Sequence, residues 1–85
     1  MVLNKEELKN KIIYRSLYRG TKEMDLLISS FVKSVINNLN YNDLLLLESL
    51  MNVDDENLYK LNNNLPTTVD IKENKIVNLF RCFSI

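Results

Sequence analysis

Eighty-five residues fit a single domain spanning 1–85 and leave no chain for a second hydrophobic core. One Gly and one Pro exclude a turn-rich β-sandwich and a flexible linker, and an apolar fraction of 46% beside 26% charged residues is that of a soluble globule. Eleven basic residues balance eleven acidic ones, so no global field draws the chain toward nucleic acid or anionic lipid.

The helix starts are legible in chain order. Asn4 is placed to cap a first helix, with Glu7 at its third position and Leu3 and Leu8 as a hydrophobic staple. Leu8 and Ile12, extended by Ile13 or Tyr14, give that helix an apolar stripe. Gly20, the only glycine, is expected to close it in the left-handed conformation. Thr21 then caps a second helix, with Glu23 and Asp25 in the first turns, where the macrodipole favours acids.

Met24, Leu27, Ile28, Phe31, Val32, Val35, Ile36 and Leu39 recur at three- and four-residue steps, the clearest helical period in the chain. Asn37 and Asn38 weaken that helix, and Asn40 caps a third running to about Met51, with Leu44, Leu47, Leu50 and Met51 inward and Leu45 and Leu46 widening the face. Asp54 caps a short fourth helix in which Tyr59 and Leu61 are available for packing, and Val53 and Leu58 form its staple. The break follows at Asn62-Asn63-Asn64-Leu65-Pro66. Asp70 and Glu73 read as the capping pair of a final helix carrying Ile71, Ile76, Leu79, Phe80 and Phe83. The expected architecture is all-α, a bundle of about five short helices.

Several kinds of chemistry lack their residues. There is no His, the commonest general base and metal ligand. Cys82 has no second Cys to pair with and reads as a small buried or terminal hydrophobe, fitting a reducing compartment. Asp54-Asp55-Glu56 lacks the spaced ligands and glycine of an EF-hand loop and reads as a solvated helix cap. A single Gly rules out a Gly-rich phosphate loop, hence a self-contained dinucleotide site. Lys9, Lys11, Arg15, Arg19 and Lys22 make the N-terminal third locally basic, but Glu6, Glu7 and Glu23 offset them. No apolar run is long enough to span a bilayer. The expectation is a protein that is not an enzyme and binds neither metal nor nucleic acid.

Arg15 and Arg19, one helical turn apart ahead of Gly20, are not accounted for by capping. Guanidinium groups offer a rigid fork of donors to carboxylates or carbonyls of a partner. The stretch Tyr14-Arg15-Ser16-Leu17-Tyr18-Arg19-Gly20-Thr21-Lys22-Glu23-Met24-Asp25-Leu26-Leu27 resembles the signature of the succinate dehydrogenase assembly factor 2 family, whose bacterial members are the SdhE-type flavinylation factors. The family's Arg-Gly-x-x-Glu motif falls on Arg19, Gly20 and Glu23, its following acid on Asp25 and its aromatic on Phe31. Leu50, Asp54, Asp55, Leu58 and Tyr59 resemble the family's later acidic segment. The chain departs from the pattern at Tyr18, where a second basic residue is usual, at Leu61 in place of a Trp, and at Asn62 in place of an apolar residue.

The resemblance implies a five-helix assembly factor that binds the flavoprotein subunit of succinate dehydrogenase, and in some bacteria of fumarate reductase, and promotes covalent FAD attachment. It implies partner contacts at Arg15, Arg19, Gly20, Glu23 and Asp25, with no cofactor held stably by this chain and the FAD belonging to the partner. It also implies a monomer when free, located in the bacterial cytoplasm or, for a mature eukaryotic form, in the mitochondrial matrix. The residues alone leave a second reading open, a helical regulatory or antitoxin-like module that binds another protein.

Overall fold

The structure, a computed structural model, describes residues 4–17 and 19–85. It contains α1 (Lys5–Leu17), α2 (Lys22–Val35), a 3-10 turn (Ile36–Asn38), α3 (Tyr41–Met51), α4 (Asp55–Asn62) and α5 (Lys75–Cys82). No strand occurs among the described residues, as the missing period-2 alternation requires.

Side-chain oxygens start all five helices. Asn4 Oδ1 accepts from the Glu7 N–H at 2.8 Å, Thr21 Oγ1 from Met24 at 3.2 Å and Asn40 Oδ1 from Asp43 at 2.9 Å. Asp54 accepts from the Asn57 N–H at 3.4 Å, and Asn74 Oδ1 from Val77 at 2.9 Å. Each bond satisfies a donor the helix itself leaves orphaned. The last cap corrects the Asp70 and Glu73 expectation: α5 begins later, from Asn74, and residues 70–74 carry no helix. Glu73 instead pairs with Arg81 at 2.6 Å. The proposed Leu3 member of the first staple lies outside the described residues.

Helix α1 packs on α2 and α3, and α5 packs on α3 and α4. The core runs through all five helices. Leu8 and Ile12 come from α1, Met24, Ile28, Phe31 and Val32 from α2, and Leu44, Leu47, Leu50 and Met51 from α3. Leu58 and Leu61 add α4, and Ile76, Val77 and Phe80 add α5. Phe31 meets Phe80 and Phe83 edge-on, with ring centroids 5.0 and 5.4 Å away. That geometry sets positive ring edges against a negative face. Of the positions expected to pack, Ile13 is partly buried while Tyr14, Tyr59 and Leu79 are largely exposed. A stripe centred on the core cannot bury every apolar residue of a short helix.

The left-handed residue is Asn64, with φ 57°, and not Gly20. The Leu65 N–H reaches the Lys60 carbonyl at 2.8 Å and the Asn64 N–H reaches Leu61 at 3.2 Å, the two bonds of a Schellman ending. Asn62, an apolar position in the family pattern, donates from Nδ2 to the Phe80 and Phe83 carbonyls, both at 2.9 Å. It thereby satisfies acceptors that the end of α5 leaves open. Leu61 is buried in the core.

Asn57 is buried and ties α4 to the following loop. Its Nδ2 donates to Asp54 Oδ1 at 2.7 Å, and its Oδ1 accepts from the Thr68 N–H at 2.7 Å. The bond from the Asn57 side chain is the main reason the Asp54 carboxyl sits below its ordinary 3.8, desolvation opposing it in part. A lowered folded value means that Asp54 contributes stability above the ordinary aspartate range and loses it as pH falls through the folded value. Between about pH 5 and about pH 2 the wild type should therefore lose more melting temperature than Asp54→Asn. Thermal melts of both proteins at both pH values check this; equal losses would contradict it.

Candidate functional site

The turn between α1 and α2 rests on the junction between α3 and α4, and one side chain makes most of the connection. Arg19 follows α1, and its side chain is only 11% exposed. Nε donates to Asp55 Oδ1 at 2.8 Å, Nη1 to the Met51 carbonyl at 3.1 Å and Nη2 to the Val53 carbonyl at 2.9 Å. Met51 ends α3 and Asp55 begins α4, so one planar fork joins an outgoing helix, its connection and an incoming helix. The positive group also meets the carbonyl end of the α3 macrodipole, where charge of that sign is favoured.

Two carboxylates hold the backbone of the turn from opposite sides. The Arg19 N–H donates to the Asp25 carboxylate, and the Gly20 N–H donates to Asp55 Oδ2 at 2.8 Å. A Cβ on residue 20 would lie 3.1 Å from that same Oδ2, tighter than ordinary contact. The glycine is thus explained by close approach to a fixed carboxylate. Its φ is not in the left-handed region, which corrects the expected helix-closing role.

The five expected contact residues are gathered at one end of the molecule but are not equivalent. Gly20, Thr21, Lys22 and Glu23 are all exposed and form the outer surface of the turn. Arg15, in the last turn of α1, is partly buried, and neither it nor Glu23 has an ion-pair partner among the described residues. Arg19 and Asp25 face inward onto the turn itself. Arg19, the residue that folding was expected to explain least, is among the side chains most fully committed to the fold. Tyr18, the departure beside it, lies outside the described residues.

Asp55 is the member that sequence reasoning missed. Asp54 is the solvated cap expected of Asp54-Asp55-Glu56, and Glu56 is exposed and pairs with Lys60 at 3.2 Å. Asp55 instead spends both oxygens on residues 35 and 36 positions earlier in the chain. An acid at the first position of a helix already has a sufficient local reason, so nothing in the local pattern announces a distant partner.

The protein is a small helical bundle whose most organised polar feature is an exposed turn, braced from beneath. Residues 10–84 match the Sdh5 family, described as the flavinator of succinate dehydrogenase, and the chain belongs to that family. Its function is that of an assembly factor for FAD attachment to succinate dehydrogenase, and nothing supports the regulatory or antitoxin-like reading. Comparison with individual curated proteins and with solved structures gave no significant match.

Replacing Arg19 removes three hydrogen bonds and leaves the Asp55 carboxylate without its cation. Arg19→Ala is expected to cost about 2 kcal/mol. For a domain of this size that is a fall in melting temperature of roughly 10 °C. Arg19→Lys keeps charge but not the fork and should fall about halfway between. Thermal denaturation followed by circular dichroism checks both, and an unchanged melting temperature for Arg19→Ala would refute the clamp.

Proposed function

We propose that the chain docks the turn formed by residues 19–25 on the flavoprotein subunit of succinate dehydrogenase and holds that subunit ready for flavinylation. The observation that carries this reading is the division of labour within the turn. Residues 20–23 face outward, and the polar groups beneath them are already satisfied internally. A surface element whose conformation is fixed before contact loses less entropy on binding than a loop that must be ordered at the interface.

In this reading Glu23 and Arg15 supply side-chain contacts, and Gly20 offers bare backbone for close approach. Arg19 and Asp25 shape the turn that the partner meets. This reassigns Arg19 from reaching outward to bracing, because the three donors it spends on Asp55, Met51 and Val53 cannot turn to a partner without opening the clamp. The FAD and the residue it joins belong to the partner, and this chain holds no cofactor stably. Its contribution is to stabilise the arrangement in which flavin and protein nucleophile can react, which is assistance by positioning. The flavoprotein subunit of fumarate reductase is the second target that the family resemblance implies. The factor acts as a monomer, in the bacterial cytoplasm or the mitochondrial matrix where that subunit matures.

Glu23 separates docking from folding because it is exposed and braces nothing. Glu23→Ala should change stability by less than about 1 kcal/mol, the worth of an acid in a first helical turn. It should reduce covalent FAD on the flavoprotein subunit by about tenfold when the factor is limiting, as expected for loss of one central contact. Covalent flavin can be read by in-gel fluorescence of the denatured subunit. Wild-type flavin content with Glu23→Ala would count against the turn as the docking surface. Gly20→Asp and Arg19→Ala are less clean, since both also disturb the contact with Asp55.

A further inference from the structure

We propose that Asp55 is a positioning residue for flavinylation, selecting the conformation in which the turn at residues 20–23 meets the flavoprotein. The inference rests on the docking role proposed above and extends it to a residue on another helix that need not touch the partner.

Gly20 has no side chain to anchor and intrinsically wide backbone freedom. Helix α1 ends at Leu17, and α2 begins at Lys22 behind the Thr21 cap, so neither helical ladder fixes Arg19 and Gly20. What restrains the glycine is the Asp55 carboxylate. Its Oδ2 accepts the Gly20 N–H at 2.8 Å while its Oδ1 holds Arg19 Nε at 2.8 Å. Asp55 is itself fixed as the first residue of α4, behind the Asp54 cap. The carboxylate therefore joins two neighbouring residues of the turn to a packed helix, and both oxygens are needed for that. An amide has one acceptor oxygen and one donor nitrogen, and a donor facing either N–H would repel it. Asp55→Asn thus removes one half of the brace with almost no change in shape. Asp25, which holds the Arg19 N–H from within α2, cannot replace it, because that bond leaves Gly20 unrestrained.

The consequence is a change in the fraction of folded factor whose turn is competent to dock. Apparent affinity falls in proportion to that fraction, whereas the reaction at saturating factor does not. If Asp55→Asn leaves about one molecule in ten competent, about tenfold more factor is needed for half-maximal flavinylation. A purely structural role would reduce the amount of folded protein and leave the behaviour of the folded fraction unchanged.

The experiment titrates wild-type, Asp55→Asn and Glu23→Ala factors into apo flavoprotein subunit with FAD. It is run at a temperature where circular dichroism shows all three folded, and covalent flavin is read over time. A rightward shift for Asp55→Asn with an unchanged plateau supports the positioning role. A shift for Glu23→Ala but none for Asp55→Asn overturns it and leaves the docking surface standing. No shift for either overturns both. A second measurement needs no partner. Because Gly20 is the only glycine, 15N-glycine labelling gives a single amide resonance. Its solvent exchange should accelerate about tenfold or more in Asp55→Asn at equal global stability, as expected when a local brace is lost. Unchanged exchange at that amide would also overturn the proposal.

Discussion

The contact between Arg19 and the α3–α4 junction is the constraint on which the turn between α1 and α2 depends. Helices α1 and α2 can pack through Leu8, Ile12, Ile28 and Phe31 without it, because burial of apolar surface is not directional. What burial cannot do is fix the path of residues 19–21 between them. A guanidinium fork can, since its donors have set directions and each of its three nitrogens here finds an oxygen. The same fork satisfies carbonyls at the end of α3 that would otherwise have to face solvent. Bracing the turn and finishing the helix are one interaction.

That economy explains the residue types around it. Residue 20 is glycine because Asp55 Oδ2 lies where a side chain would crowd it, and residue 55 is acidic because two donors converge there. Asp25 faces the Arg19 N–H from the other side. Residues 20–23 are left to face outward, among them the one glutamate of the family motif. The Arg-Gly-x-x-Glu signature therefore holds two kinds of residue: those that build the turn and those the turn displays. A sequence motif records that both are needed without saying which is which.

Much of the fold was legible because the forces that start a helix are local. Thr21, Asn40 and Asp54 each cap the helix their neighbours imply, since a cap spans only three residues. The stripe from Met24 to Leu39 packs inward as its period requires, although α2 stops at Val35 and a 3-10 turn carries Ile36 onward. The start of α5 differs from the expected one because Asp70 and Asn74 are both competent caps. Competition between them is settled by where Ile76, Val77 and Phe80 must sit against the core. Gly20 was expected to be left-handed and is not, because its backbone is held by Asp55. Among the described residues the left-handed position is Asn64, where the Schellman bonds close α4.

Sequence by itself determined the class of fold, the positions of most helix starts, the apolar face of each long helix and the family. All of these follow from patterns within a few turns of chain, or from a motif that is itself contiguous. It also singled out the turn proposed to dock, but it assigned Arg19 outward and Asp55 to solvent. Only the tertiary structure decided that these two side chains belong to each other across 36 positions. The physical reason is that an arginine's partner depends on which carbonyls and carboxylates the packing of α3 and α4 brings within reach of its fork. No local pattern in the chain specifies that meeting.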